Sequence, residues 1–181
     1  VGFDFCFGKN RKYCIEKLKE LFIGEVLVID EIKIDDIPVH SRIIREYLKD
    51  GNIKIANKLL GKEYKIYGHQ IKGQGLGTKS FVPTINLKIE EFLLPQEGVY
   101  VTKTILDDKE FNSITFLGHR ATTDGSYAVE THIIDENIKN SNYTTQIKFY
   151  EKLRDNKKFD SFEELKKQIL NDIETTRIYF K

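Results

Sequence analysis

Residues 99–117 read VYVTKTILDDKEFNSITFL, and this stretch decides the fold. Residues 99–106 and 111–117 are rich in the β-branched and aromatic types that favour strands. Asp107 and Asp108 lie near the middle, and Asp is a common turn residue because it tolerates left-handed backbone. The stretch therefore predicts two strands joined by a hairpin turn.

The same pattern continues on both sides of this hairpin, as short runs of period two separated by turn residues. The predicted strands are residues 64–69, 84–89, 99–106, 111–117, 127–134 and 144–150. Several short, evenly spaced strands suggest a closed antiparallel barrel. The predicted fold class is therefore mainly β, with a six-stranded antiparallel barrel.

After the last strand, the apolar spacing becomes helical. Ser161 and Glu164 have the spacing of an N-terminal capping box. The apolar positions that follow form one stripe of Phe162, Leu165, Ile169 and Ile173. We expect this C-terminal helix to lie against the barrel.

The chain before the barrel has a different pattern. A helix is predicted over residues 11–22, a Val- and Ile-rich strand over 25–34, and a second helix that Ser41 caps. A third helix over residues 53–60 stops at Gly61, a typical C-cap residue. This order predicts part of an α/β unit without its beginning.

The composition argues against some classes of function. Lys and Arg total 29 against 28 Asp and Glu, so no net field recruits nucleic acid. No apolar run approaches the roughly 20 residues of a membrane-spanning helix.

Cys6 and Cys14 show no paired metal-ligand spacing, which predicts two free thiols and a cytoplasmic location. The chain starts at Val1 and lacks Met, so we expect a fragment of a longer protein.

A glycine-rich segment separates the first two predicted strands. Residues 73–79 read GQGLGTK. Alternating glycines let backbone amides approach a phosphate closely, although a hairpin connection of this composition needs no ligand. The PTIN tetrad at residues 83–86 follows, and three specified positions in four make it the more informative motif.

Together these motifs resemble the kinase half of the bacterial bifunctional riboflavin kinase/FMN adenylyltransferase, also called FAD synthetase. That family has a Gly-x-Gly-x-Gly loop running into Pro-Thr-Ala-Asn, followed by four further motifs. This chain carries their counterparts in the same order: GVY at 98–100, ETH at 130–132, LR at 153–154 and KFDS at 158–161. The resemblance implies a Greek-key barrel over residues 60–181 that phosphorylates riboflavin to FMN.

The resemblance also implies roles for individual residues. Thr84 and Asn86 would bind Mg²⁺ and the phosphates of ATP, and Glu130 would act on the 5′-hydroxyl of riboflavin. Oxygen donors suit Mg²⁺, and a carboxylate can accept the proton of an acceptor hydroxyl. The other candidate contacts to nucleotide or flavin are Gly73, Gly75, Gly77, Lys79 and Arg154.

Several of these residues have a simpler interpretation. Glu130 could be a solvated carboxylate, Lys79 a solvated turn lysine and Arg154 a surface arginine. The sequence also departs from the family at Phe81, which stands where family members usually have glycine. That departure puts the local backbone of the loop in question.

Residues 1–59 resemble the late part of the family's adenylyltransferase half, a Rossmann-like nucleotidyltransferase domain. The resemblance rests on VGFDFCFGKNR at residues 1–11. The phosphate-binding His-x-Gly-His segment of that half has no counterpart here. We therefore expect the chain to make FMN but not FAD, whereas its parent protein would make both.

Two alternatives remain open. The barrel could bind flavin or nucleotide as a sensor without catalysis, an alternative that Phe81 motivates. It could also be a small RNA-binding barrel, although the near-neutral charge counts against this. The favoured partners are riboflavin or FMN and ATP or ADP, with neither nucleic acid nor membrane, and the oligomeric state is left open.

Overall fold

A computed structural model of the chain describes residues 1–72, 82–120, 125–136 and 144–181. These residues divide into two compact units, Val1–Ile43 and Ile44–Lys181. The family resemblance places the domain boundary at residues 59/60 instead, and that boundary remains a prediction.

The first unit contains little regular structure. It has a 3₁₀ turn, helix α1 and a two-stranded hairpin, and helix α2 begins near its end. The bounds are Lys9–Arg11 for the turn, Ile15–Leu21 for α1, Lys33–Ile34 for β1, Ile37–Pro38 for β2 and Ser41–Lys49 for α2. The strand predicted over residues 25–34 is wrong, because only its last two residues form a strand.

The reason lies in the pairing of this segment. Ile29 makes a single parallel bridge, to Gly2, and a buried parallel strand needs longer pairing within a covered sheet. The side chains of Leu27, Ile29 and Ile32 are 71%, 54% and 59% exposed. Within the described residues, a Rossmann-like sheet is therefore not confirmed.

The second unit is built around the predicted barrel, and all six predicted strands are present. Their bounds are Tyr64–Ile71 for β3, Ile85–Lys88 for β4, Gly98–Leu106 for β5, Lys109–His119 for β6, Tyr127–Ile133 for β7 and Thr144–Arg154 for β8. The order around the closed barrel is β3-β4-β7-β6-β5-β8, and every pairing is antiparallel. Because β8 returns to lie beside β5 after the β5-β6-β7 meander, the arrangement is a Greek key.

The hairpin predicted over residues 99–117 is confirmed. Leu106 pairs with Lys109, so only Asp107 and Asp108 form the turn. Both residues have positive φ, 47° and 62°, as a type I′ turn requires. This turn matches the twist of the flanking strands and sets the register along all of β5 and β6.

The barrel interior contains apolar side chains together with a layer of hydroxyl groups. Tyr100, Leu117, Ile147 and Phe149 are fully buried. The hydroxyl layer, which is also fully buried, consists of Thr102, Thr104, Ser113, Thr115 and Thr131. Its side-chain oxygens lie 2.8 to 3.1 Å apart. Mutual hydrogen bonds offset the cost of burying these groups.

Two helices pack against the barrel. Helix α3 (Ile53–Leu60) contacts β3 and β8 and ends at Gly61, which has left-handed φ as predicted. The C-terminal helix α4 (Phe162–Tyr179) contacts β6, so the predicted packing is confirmed. Ile173 of α4 is buried against Ile114.

The start of α4 differs in detail from its prediction. The Ser161 Oγ accepts a hydrogen bond from the Glu164 N–H, at 3.2 Å. The Glu164 carboxylate accepts from the Asp160 N–H instead of completing the capping box with Ser161. Phe162, predicted to lie in the apolar stripe, is 60% exposed, because it occupies the first turn before the helix reaches the barrel.

Candidate functional site

Strand register brings two predicted site residues together. Asn86 of β4 and Glu130 of β7 are direct partners in the antiparallel ladder, so their side chains project from the same face of the sheet. Their chain neighbours Ile85, Leu87 and Val129 belong to the barrel core. Because side chains alternate along a strand, Asn86 and Glu130 lie on the outer wall of the barrel.

An arginine that sequence reasoning missed connects them. Arg120 directly follows β6 and donates a hydrogen bond from Nε to Glu130 Oε1 at 2.8 Å, and its Nη2 lies 2.6 Å from the same oxygen in an ion pair. The same Nη2 donates to Asn86 Oδ1 at 2.7 Å. Asn86, Arg120 and Glu130 form what we call the β4–β7 cluster.

Backbone and side-chain contacts hold Arg120 in place. Its Nη1 donates to Ser126 Oγ at 2.8 Å, and its N–H donates to the Ser126 carbonyl at 3.0 Å. The Arg120 side chain is 19% exposed and that of Glu130 25%. The ion pair is thus partly shielded from water, which strengthens it relative to a surface pair.

Little in the sequence singles out Arg120. It is one basic residue among many, separated by 34 positions from Asn86 and by 10 from Glu130. Its place just after the predicted strand 111–117, in the connection to the Glu130 strand, was the available signal. The strand register needed to bring the three side chains together is not visible in a single sequence.

Thr84, the other predicted metal ligand, directly precedes β4 and is half-buried. The segment before it is tied to β7, because His132 Nδ1 lies 2.8 Å from the Pro83 carbonyl oxygen. Burial lowers the pKa of His132, which favours the neutral ring as the donor of this hydrogen bond. His132 thus fixes the chain next to Thr84.

The donor set near Asn86 suits a hard cation. Thr84 and Asn86 offer a hydroxyl and an amide oxygen, and Mg²⁺ commonly takes few protein ligands while substrate phosphates and water supply the rest. Within the described ranges no group of three or more His, Cys, Asp or Glu could hold a metal by itself. The residues therefore fit a Mg²⁺ that arrives with a nucleotide, and not an all-protein metal cage.

The predicted phosphate loop lies outside the described residues. This applies to Gly73, Gly75, Gly77, Lys79 and Phe81. Their roles remain predictions.

Arg154 has contacts of its own. Its Nε and Nη2 donate to the Asp172 carboxylate of α4, at 3.0 and 2.8 Å to Oδ2, and Asp172 is 4% exposed. Its guanidinium also lies 5.8 Å from the Phe159 ring centroid. These contacts join β8 to α4, so they favour a structural role; contact with flavin or phosphate remains a prediction.

A shallow cavity of about 390 Å³ lies elsewhere on the barrel unit. Lys54, Tyr150 and Tyr179 are among its lining residues, and no member of the β4–β7 cluster is. Lys54 is already paired with Glu151 at 2.7 Å. Hence the candidate functional site is the cluster, where three polar side chains converge, and not this cavity.

The described residues contain no helix long and apolar enough to cross a membrane. Among solved structures, the chain is similar to the crystal structure of the macrolide-efflux protein from Streptococcus pneumoniae. It matches with a TM-score of 0.87 and 32% identity, covering 97% of this chain and 58% of that one. The match shows that the two proteins share an architecture.

Comparison with protein families makes the class plain: the barrel is a phosphotransferase domain. Residues 60–180 match the family model described as Flavokinase: Riboflavin kinase. The chain belongs to the riboflavin kinase family.

Curated relatives agree with this family. The bifunctional riboflavin kinase/FMN adenylyltransferases of Haemophilus influenzae, Bacillus subtilis and Escherichia coli K12 are 32%, 27% and 28% identical. Each alignment covers 99% of this chain but only 59 to 60% of the relative. The chain therefore spans about three fifths of the length of these relatives and includes their kinase part.

Proposed function

We propose that the barrel transfers the γ-phosphate of ATP to the 5′-hydroxyl of riboflavin and releases FMN and ADP. The observation that carries this proposal is the placement of Glu130 beside Asn86 across β4 and β7. Glu130 would supply a carboxylate to the acceptor hydroxyl, and Asn86 would supply a neutral amide oxygen to a cation bound to the phosphates. Family membership supports the same reaction.

In this proposal Glu130 accepts the proton of the 5′-hydroxyl as the oxygen attacks phosphorus. Arg120 fixes the direction of the carboxylate through the two contacts to Oε1. Positioning matters most, because phosphoryl transfer has a loose transition state in which alignment and charge stabilisation supply most of the catalysis.

Thr84 and Asn86 would hold Mg²⁺, which when bound neutralises the charge of the ATP phosphates. His132 supports Thr84 through its hydrogen bond to Pro83. The glycines of residues 73–77 and Lys79 would supply further phosphate contacts, by amides and by a cation respectively.

We also propose that residues 1–59 are the later part of an FMN adenylyltransferase domain and that a longer parent protein makes FAD. The bifunctional relatives align over 99% of the chain, and therefore over this segment as well. The side chains of Leu27, Ile29 and Ile32 are exposed, and such an apolar surface is typical of a segment that packs against further protein. The two free thiols support a cytoplasmic location.

The deciding experiment is chromatographic detection of FMN after incubation of the chain with riboflavin, ATP and Mg²⁺. We expect FMN to accumulate with time in the complete reaction and not to form when ATP is omitted. Saturable binding of riboflavin and ADP without FMN formation would instead support a sensor, and binding of a short RNA alone would point to the third alternative.

A further inference from the structure

Arg120 contacts the atom that the proposed metal site requires. Its Nη2 donates to Asn86 Oδ1 at 2.7 Å, and this amide oxygen is the donor that Asn86 would offer to Mg²⁺. A guanidinium and a divalent cation on one oxygen repel each other strongly where water is partly excluded. The two contacts of Asn86 are therefore in competition.

The contact between Arg120 and Glu130 does not share this conflict. Nε donates a hydrogen bond to Glu130 Oε1 and Nη2 forms an ion pair with the same oxygen, while Nη1 donates to Ser126 Oγ. If Nη2 gives up Asn86, Nε and Nη1 still anchor the guanidinium to Glu130 and Ser126. Arg120 can thus release one partner while keeping the other two.

We propose that Arg120 is a positioning residue that competes with Mg²⁺ for Asn86 Oδ1. It holds Asn86 and Glu130 together until Mg²⁺ and nucleotide bind, and then gives up Asn86 Oδ1 while it continues to orient Glu130. This inference rests on the proposed kinase site at Asn86. If the inference is right, Arg120 lowers the affinity of the site for Mg²⁺, whereas an ion pair with only a structural role would not.

The test measures binding of ADP, which cannot be turned over, to the 181-residue chain at increasing Mg²⁺ concentrations by calorimetry. Arg120→Gln removes the competing charge and keeps an amide. We expect its half-saturating Mg²⁺ concentration to fall by about three- to fivefold, the size expected for a partly screened charge interaction. Association of Mg²⁺ with ADP in solution is the same for every variant and cancels in the comparison.

Arg177→Gln is the matched control. Arg177 forms an exposed ion pair with Asp135, so the variant removes the same charge outside the β4–β7 cluster, and its Mg²⁺ dependence should equal that of wild type. Arg120→Lys keeps the positive charge and should stay closer to wild type than Arg120→Gln. An unchanged or increased Mg²⁺ requirement in Arg120→Gln, or an equal decrease in Arg120→Lys, would overturn the inference.

A wild-type measurement covers the case in which Arg120→Gln does not fold. The NMR signal of the Arg120 Nε–H should shift when Mg²⁺ and ADP are added together and stay in place with ADP alone. A signal that responds to neither overturns the inference, as does ADP binding that is independent of Mg²⁺. Lack of FMN formation by wild type would refute the kinase proposal alone, because the ADP measurements need no turnover.

Discussion

Glu130 accepts a hydrogen bond from Arg120, forms an ion pair with the same guanidinium and lies opposite Asn86 in the strand ladder. The general-base role makes a specific demand on this side chain: a negative charge must be available when the hydroxyl proton leaves. A purely structural role, through the ion pair with Arg120, would instead affect stability and leave the rate per folded molecule near wild type. Glutamine separates the two, since it keeps the acceptor and loses the charge.

We expect Glu130→Gln to lower kcat by about 10² to 10⁴ with little change in riboflavin affinity. The loss should appear in kcat and kcat/KM together, because the carboxylate acts mainly in the transition state. Steady-state kinetics and thermal melting on one preparation provide the measurement. Glu110→Gln is the control, since Glu110 pairs with Lys103 and Lys148 outside the cluster. A rate loss under about threefold would remove Glu130 from the mechanism.

At the scale of elements, β7 contributes to both the core and the site. Thr131 joins the buried hydroxyl layer, while its neighbours Glu130 and His132 lie at the site on the other face of the strand. The hydroxyl layer links β5, β6 and β7 through hydrogen bonds that depend on correct register. Such a layer specifies strand alignment better than apolar contacts alone, because a shifted strand would leave buried hydroxyls unpaired.

Thr102→Val tests this layer. The Thr102 hydroxyl lies 2.8 Å from the hydroxyls of both Ser113 and Thr115, so its loss removes one hydrogen bond from each of these buried groups at nearly constant volume. We expect the free energy of unfolding to fall by about 1–3 kcal/mol, measured by urea denaturation. Thr144→Val, at the exposed start of β8, should change stability far less. Equal stability of the two variants would show that the layer contributes little.

The burial of His132 makes stability depend on pH. Because burial lowers the folded-state pKa of His132, the unfolded chain binds more protons just below the ordinary pKa of about 6.5. Stability from this group is therefore present above that pH and is lost as pH falls toward the folded-state pKa. Unfolding curves between pH 8 and 5, values chosen to bracket about 6.5, should show a steeper decline in wild type than in His132→Gln.

The exposed His69 provides the comparison for that experiment. His69→Gln should retain the wild-type slope of unfolding free energy against pH. Parallel slopes in wild type and His132→Gln would exclude His132 as the source of the pH dependence.

At the scale of the whole molecule, the two compact units differ in how completely they bury their own apolar side chains. The barrel unit closes its sheet and buries its core. The first unit has short elements and leaves several large apolar side chains exposed. The residues of the proposed kinase site, Asn86, Arg120 and Glu130, all lie in the barrel unit.

We accordingly expect the 181-residue chain to convert riboflavin to FMN but to form no FAD from FMN and ATP. The physical reason is that the His-x-Gly-His segment expected to bind nucleotide phosphates for adenylyl transfer has no counterpart in its sequence. Chromatography for FAD and a pyrophosphate assay provide the measurement, with a full-length bifunctional relative as positive control. FAD and pyrophosphate above background would contradict the expectation.

Sequence reasoning succeeded where structure is set locally. The two-residue turn at Asp107 and Asp108, the C-cap at Gly61 and the six strands were all predictable. It failed where a neighbour decides the outcome. The Val- and Ile-rich residues 25–34 have strand propensity but mostly lack a pairing partner among the described residues, and propensity alone does not form a sheet.

The sequence by itself determined the barrel, its hairpin and the family, because side-chain periodicity, turn chemistry and motif order are written along the chain. Only the tertiary structure decided that Arg120 contacts both Asn86 and Glu130, and that Arg154 pairs with Asp172. The reason is that barrel closure and strand register bring together residues far apart in sequence. One residue of slip along β7 would turn Glu130 to the opposite face of the sheet and dissolve the β4–β7 cluster.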